Sequence, residues 1–306
     1  MSAEIYSAQV SLLVRAIPEI AREEMFALKG GTAINLFVRD LPRLSVDIDL
    51  VYLPVAARAE SLAAIHDGFA RIAGALRKRL DAKVTEQTSR EGAKLVVRAG
   101  AAQIKIEVSP VLRGTVYAPE LRAVRPTVED RFGYAEMQVV ALPDLYAGKI
   151  AAALDRQHPR DLFDIHYLYE NEGITDDLFK AFLVYLVSHN RPPHELLDPH
   201  PLDIDALYSG EFAGMTVEPV PLAALLDIRT KLVADLQQRV RNDAPAAFLR
   251  SFFAGNPDWP LLDLPIDASE LPAVQWKLRN LNRFRTEQRA KFDAQLAALD
   301  ALLADR

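Results

Sequence analysis

Lys29-Gly30-Gly31-Thr32 and, after a short amphipathic segment, Arg43-Leu44-Ser45-Val46-Asp47-Ile48-Asp49-Leu50 form the stretch on which the fold turns. Leu44, Val46, Ile48 and Leu50 alternate with Ser45, Asp47, Asp49 and Val51, which predicts a strand over 44–53 with one apolar face. Side chains two apart share a face, so Ser45, Asp47 and Asp49 stand together opposite the apolar row. Two like charges held that close are costly, and a divalent metal removes the cost. A paired glycine opening a helix can bring backbone N–H groups onto a phosphate. Gly-Gly and Asp-x-Asp are each common alone; together they point to nucleotide chemistry and ask for more of the site downstream.

Working outward, residues 4–22 carry Ile5, Val10, Leu12, Leu13, Ile17 and Ile20 near a 3.6-residue period and read as an amphipathic helix. Met25-Phe26-Ala27-Leu28 is a short apolar run leading into the glycines, and 32–39 reads as a helix that Thr32 can cap. A longer helix is expected over 56–80, then strands over 83–88, 94–98 and 103–111. The last alternates strictly, with Ile104, Ile106 and Val108 inward and Lys105, Glu107 and Ser109 outward, supplying a third strand-borne carboxylate. Residues 112–135 show little periodicity and read as a connection or edge hairpin before a short strand over 137–142. From Pro143 the pattern is helical almost throughout, broken by loops at 191–201, 209–221 and 254–272. A boundary at 142 separates an α+β domain, 1–142, from a mainly helical one, 143–306.

Composition narrows the chemistry. The chain has 306 residues, half of them hydrophobic and a quarter charged, as in globular proteins. No apolar run approaches the roughly 20 residues needed to span a bilayer, and the N-terminus lacks a secretory pattern, so a cytoplasmic location without membrane contact is expected. With no cysteine, thiolate nucleophiles and thiolate zinc sites are excluded, leaving carboxylates as ligands and magnesium or manganese as the metal. A net charge of −6 gives no global footprint for nucleic acid. The segment from Lys277 through Arg279, Arg283 and Arg285 to Lys291 is a basic helix that could meet RNA or simply present a solvated face.

The second cluster starts at Pro143, placed as the first residue of a helix. Lys149 lies near the small residues Ala152 and Ala153, with Arg156 further along a nearby face. Lys149 either snorkels from a core helix or meets an anionic partner. In Arg160-Asp161-Leu162-Phe163-Asp164, the two carboxylates are three apart and share a helix face. Asp161 could simply place negative charge in the first turn, an explanation that does not extend to Asp164.

In this order the pieces resemble the AbiEii/AbiGii (MenT-like) family of nucleotidyltransferase toxins from toxin–antitoxin systems. The matching residues are Lys29-Gly30-Gly31-Thr32, Arg43-x-Ser45-x-Asp47-x-Asp49, Lys105-x-Glu107, Lys149 with Arg156, and Arg160-Asp161-x-x-Asp164; Pro272-Ala273-x-x-Trp276-Lys277-Leu278-x-Asn280-Leu281 is similar to the tail of its longer members. The resemblance implies an α+β nucleotidyltransferase core, a mixed sheet flanked by helices, followed by a helical domain that completes the active site and offers an acceptor-binding surface. It implies magnesium- or manganese-dependent transfer of a nucleoside monophosphate from a nucleoside triphosphate to RNA, with tRNA acceptor ends as the acceptor, and a cognate antitoxin. Carried onto this chain, Asp47, Asp49 and Glu107 would hold the metal. Lys29, Gly30, Gly31, Thr32, Ser45, Lys149 and Arg156 would contact the nucleotide, and Asp161 or Asp164 would complete the catalytic set. Lys277, Arg279, Arg283 and Arg285 would contact RNA. Glu107 stands where such enzymes often carry Asp. Transfer to a small molecule or protein hydroxyl, and a non-catalytic nucleotide-binding protein, are the competing readings.

Overall fold

The computed structural model describes residues 3–89 and 92–304. The chain divides into two compact units, one of residues 1–141 with 214–219, the other of 142–213 with 220–306.

The first unit is built on a seven-stranded mixed sheet in the order β3-β4-β5-β2-β1-β7-β6. Its elements in chain order are helix α1 (Ala3–Ile20), strand β1 (Phe26–Lys29), helix α2 (Gly30–Thr32, continued as Ala33–Val38), strand β2 (Asp47–Tyr52) and helix α3 (Arg58–Leu80). Strands β3 (Lys83–Ser89), β4 (Gly92–Ala99), β5 (Ala102–Arg113) and β6 (Glu120–Ala123), helix α4 (Pro126–Phe132) and strand β7 (Glu136–Val139) complete it. The β1–β7 and β2–β5 pairs are parallel and the rest antiparallel. Helices α1 and α3 pack on the sheet, where Ile48, Leu50, Ile104 and Ile106 are buried. Phe26 of β1 meets Phe69 of α3 edge-on, with ring centroids 5.6 Å apart. Gly68 makes that approach possible, because a Cβ there would collide with Met25 and sit 3.0 Å from the Phe26 ring.

Several local expectations need correction. The apolar run before the glycines is a central strand, β1, hydrogen-bonded on both sides, so it shows no alternation. Thr32 does not cap a helix; it lies within one that begins at Gly30. Over Ala33–Val38 the helix is wound wide as a π-helix, and at its end the Arg39 N–H bonds the Ile34 carbonyl five residues back at 2.7 Å. Such widened turns concentrate at functional sites. The strand expected from Leu44 starts at Asp47, and the 112–135 connection contains both β6 and α4. The loop expected over 209–221 includes a return to the first unit. Leu44 N–H donates to Met215 O at 2.9 Å, Val217 N–H donates to Pro42 O at 3.0 Å, and Arg43 bridges Thr216.

The second unit is helical: α5 (Leu142–Arg156), α6 (Pro159–Asn171), α7 (Asp176–Ser188), α8 (Pro193–Leu197), α9 (Asp205–Glu211), α10 (Leu222–Val240), α11 (Asp243–Phe253), α12 (Pro272–Glu287) and α13 (Arg289–Ala304). Helix α5 packs on α6 and α7, α6 on α10, and α7 on α12. Gly148 of α5 faces the Tyr185 ring of α7, where a Cβ would make an ordinary van der Waals contact at 3.4 Å. The Tyr185 hydroxyl donates to Asp144 at 3.2 Å, and burial together with that carboxylate pushes the phenol pKa up. Among the described residues no helix is long and apolar enough to cross a membrane.

Candidate active site

In the first unit the register of four adjacent strands sets the geometry. Lys29 of β1 pairs with Asp49 of β2, Asp49 with Glu107 of β5, and Glu107 with Lys94 of β4. Residues directly opposite one another share a face. Four charges therefore form one row, cation–anion–anion–cation, with Asp47 two residues along on the same face, opposite Lys105. Asp47 and Asp49 are half-buried while Ile48 and Leu50, next to them in the strand, are buried, which realises the alternation in the sequence.

The glycines hold this row against the strand-to-helix turn. Gly30 has φ +74°, a left-handed conformation that glycine adopts without strain, and a Cβ there would stand 2.5 Å from Asp49 Oδ2. At Gly31 a Cβ would stand 2.8 Å from Arg43 Nη2 and 3.1 Å from Ser45 Oγ. Both glycines thus clear space for motif side chains. Thr32 Oγ1 donates to the Asp47 carbonyl at 2.5 Å and accepts from Ser45 Oγ at 3.0 Å, tying the helix to the start of β2. Buried Arg43 donates through Nη1 to the Leu44 carbonyl at 2.9 Å.

Glu107 does not join a carboxylate cluster. Its Oε1 lies 2.5 Å from Lys94 Nζ, and among the described residues no group of three or more His, Cys, Asp or Glu side chains is disposed to hold a metal ion. The donor set that fits a hard divalent cation is the Asp47–Asp49 pair: two carboxylates on one strand face, with Gly30 leaving the approach to Asp49 Oδ2 clear. Hydrogen bonding to Glu107 raises the Lys94 pKa against the opposing effect of burial, and the charges of Glu107 and Asp47 add to the rise.

In the second unit Lys149 is buried at 7% side-chain exposure and does not snorkel. Its Nζ lies 2.8 Å from Asp161 Oδ1 and 2.9 Å from Asp164 Oδ2. Arg156 adds a two-pronged contact to Asp161, 2.6 Å from Nε to Oδ2 and 3.0 Å from Nη2 to Oδ1. Burial opposes the charge on Asp161, but Lys149 and Arg156 overcome it and hold this carboxyl well below the usual carboxylate range. Any anion that reaches Lys149 competes with two carboxylates. His158 caps α6. Burial pushes its pKa down, so Nδ1 accepts from Arg160 N–H at 3.1 Å and Nε2 faces Glu211 at 3.2 Å.

The basic segment divides. Lys277 is buried, and its ammonium bonds the carbonyls of His189, Asn190 and Arg191 just past the end of α7, at 2.5, 3.2 and 3.5 Å. That corrects its assignment to an RNA-facing surface; burial also lowers its pKa to about 8. Arg285 donates to the Ala254 carbonyl at 2.8 Å, whereas Arg279 and Arg283 are exposed.

The family described as nucleotidyl transferase AbiEii toxin, type IV TA system, matches residues 11–280. No curated protein matches the chain. Among solved structures the chain is similar to MenT4, nucleotidyltransferase toxin Rv2826c from Mycobacterium tuberculosis H37Rv, with a TM-score of 0.57 and 17% identity over 97% of this chain and 95% of that one. At that identity the likeness speaks for the fold, while the family match spans both the glycine–aspartate stretch and the Arg160–Asp164 motif. The chain belongs to the AbiEii family of nucleotidyltransferase toxins of toxin–antitoxin systems, and its enzyme class is nucleotidyltransferase.

Proposed function

We propose that this toxin transfers a nucleoside monophosphate from a nucleoside triphosphate to RNA, with the tRNA acceptor end as the acceptor, and that Asp47 and Asp49 hold the magnesium or manganese ion the reaction uses. The observation that carries the reading is the contact geometry of Gly30 with Asp49 Oδ2, in a row where Asp47 shares the face. That geometry puts an Asp49 carboxylate oxygen beside a glycine turn, with Asp47 on the same strand face. When bound, the cation supplies charge neutralisation on the phosphates and orients them. The acceptor hydroxyl oxygen bonds to the α-phosphorus, the bond from that phosphorus to the β-phosphate bridging oxygen breaks, pyrophosphate leaves, and the hydroxyl proton passes to a carboxylate of the acidic face. This chemistry needs positioning and electrostatics more than covalent help from the protein. Lys29 and Ser45, beside the carboxylates, and the Gly30–Gly31 turn are assigned to the triphosphate. The type IV toxin–antitoxin family implies a cognate antitoxin, and we place the pair in the cytoplasm.

A second acceptor class, a small molecule or protein hydroxyl, is favoured by one observation: Lys277 and Arg285 are committed to backbone carbonyls, which thins the basic face an RNA would meet. Incubation with each α-labelled triphosphate, total tRNA and cell extract, followed by gel separation, decides between them. Label in tRNA that vanishes with Asp47→Asn is the expected result. Label confined to protein or small molecules overturns the RNA assignment.

A further inference from the structure

Lys94 belongs to none of the motifs that carry the family resemblance, yet its pair with Glu107 extends the charged row that starts at the motif aspartates. Two carboxylates directly opposite on neighbouring strands, Asp49 and Glu107, repel, and the row places a lysine at each end, Lys29 beyond Asp49 and Lys94 beyond Glu107. Of these carboxylates Glu107 is drawn to its own lysine at 2.5 Å. The pair is open to exchange, with side chains 34% and 42% exposed, and ion pairs of that kind contribute little to stability.

Resting on the metal assignment above, we propose that Lys94 is a positioning residue that holds Glu107 away from the Asp47–Asp49 pair and competes electrostatically with the divalent cation. Glu107 is then not a ligand in the nucleotide-free protein. Its ammonium partner compensates part of the acidic face until triphosphate arrives, and cation binding is thereby linked to nucleotide binding. A cation brought in with phosphates meets a site whose positive counter-charge can turn to those phosphates; a cation alone meets a site already partly neutralised.

The test is direct binding of Mn2+ alone to the nucleotide-free, full-length protein, read by the electron paramagnetic resonance signal of free Mn2+. Lys94→Met removes a unit positive charge and frees Glu107, and should tighten Mn2+ binding roughly three- to tenfold, the scale of one charge acting near a protein surface. Glu107→Gln in the wild-type background, which leaves Lys94 uncompensated, should weaken Mn2+ binding by less than tenfold, whereas in the Lys94→Met background it should reverse the gain. Unchanged or weaker binding by Lys94→Met overturns the proposal, as does a tenfold or greater loss from Glu107→Gln alone, which would make Glu107 a resident ligand. Asp47→Asn separates this proposal from the metal assignment: retention of wild-type Mn2+ affinity in that variant overturns the assignment itself, whatever Lys94→Met does.

Discussion

The acidic row of the sheet unit and the Lys149–Asp161–Asp164–Arg156 network of the helical unit use the same side-chain types in opposite physical settings. In the row, Asp47, Asp49 and Glu107 stay half-exposed, and the solvent keeps their repulsion affordable. In the network, Lys149 and both carboxylates are removed from water, and each charge depends on the others to remain charged. The first arrangement leaves its carboxylates open to solvent on one sheet face. The second fixes two helices, α5 and α6, through a neutral set of two cations and two anions. Substitutions should therefore separate cleanly, with activity without stability in the row and stability in the network.

The largest expected effect is in the row. Asp47→Asn or Asp49→Asn should lower nucleotidyl transfer by roughly three orders of magnitude, reflecting several kcal/mol of lost charge stabilisation, while circular dichroism melting stays near wild type. Full activity in either variant would mean that the two aspartates take no part in the transfer. Next, Lys149→Ala leaves two carboxylates buried without their shared ammonium and should destabilise the protein by about 3–5 kcal/mol in urea titration. The same network has a signed pH dependence. Asp161 is lowered in the folded state, so its contribution is complete above the ordinary carboxylate value of about 4 and is lost as pH falls through the lowered folded value. Acid melts of the wild type should show this loss, and melts of Lys149→Ala should show less of it.

Lys277→Met should cost about 1 kcal/mol, because the part-buried carbonyl of His189 loses its donor. If tRNA labelling fell in this variant without loss of stability, Lys277 would return to the acceptor surface. The smallest effect is expected for Lys94→Met, below about 1 kcal/mol on thermal stability, since its partner is exposed. A large stability loss there would place Lys94 with the network, not with the row.

How much of this the sequence made legible follows from what periodicity can report. Alternation placed Asp47 and Asp49 on one face and Glu107 on the outer face of its strand, because period two is local information. It could not place Lys94 beside Glu107, since that pairing depends on the β4–β5 register. Lys149 had two open readings from its neighbours; the third dimension chose the anionic partner. Strand β1 was legible only as an apolar run because it is hydrogen-bonded on both sides and buried at three of its four positions. Lys277 sits in a basic run by composition, and its burial is decided by where α12 lies on α7. The π-wound turns over Ala33–Val38 have no signature in residue type at all.

The return of residues 214–219 has a consequence for when the motif loop is completed. The Leu44 N–H and the Pro42 carbonyl, on either side of Arg43, are hydrogen-bonded to Met215 and Val217. A ribosome delivering the chain from its N-terminus completes every strand of the sheet long before those partners emerge. During that interval the loop that presents Arg43 and Ser45 keeps the Thr32–Ser45 bond but lacks its backbone bonds to residues 215–217. Residues 42–44 therefore reach their hydrogen-bonded setting only once residues 215–217 have been made.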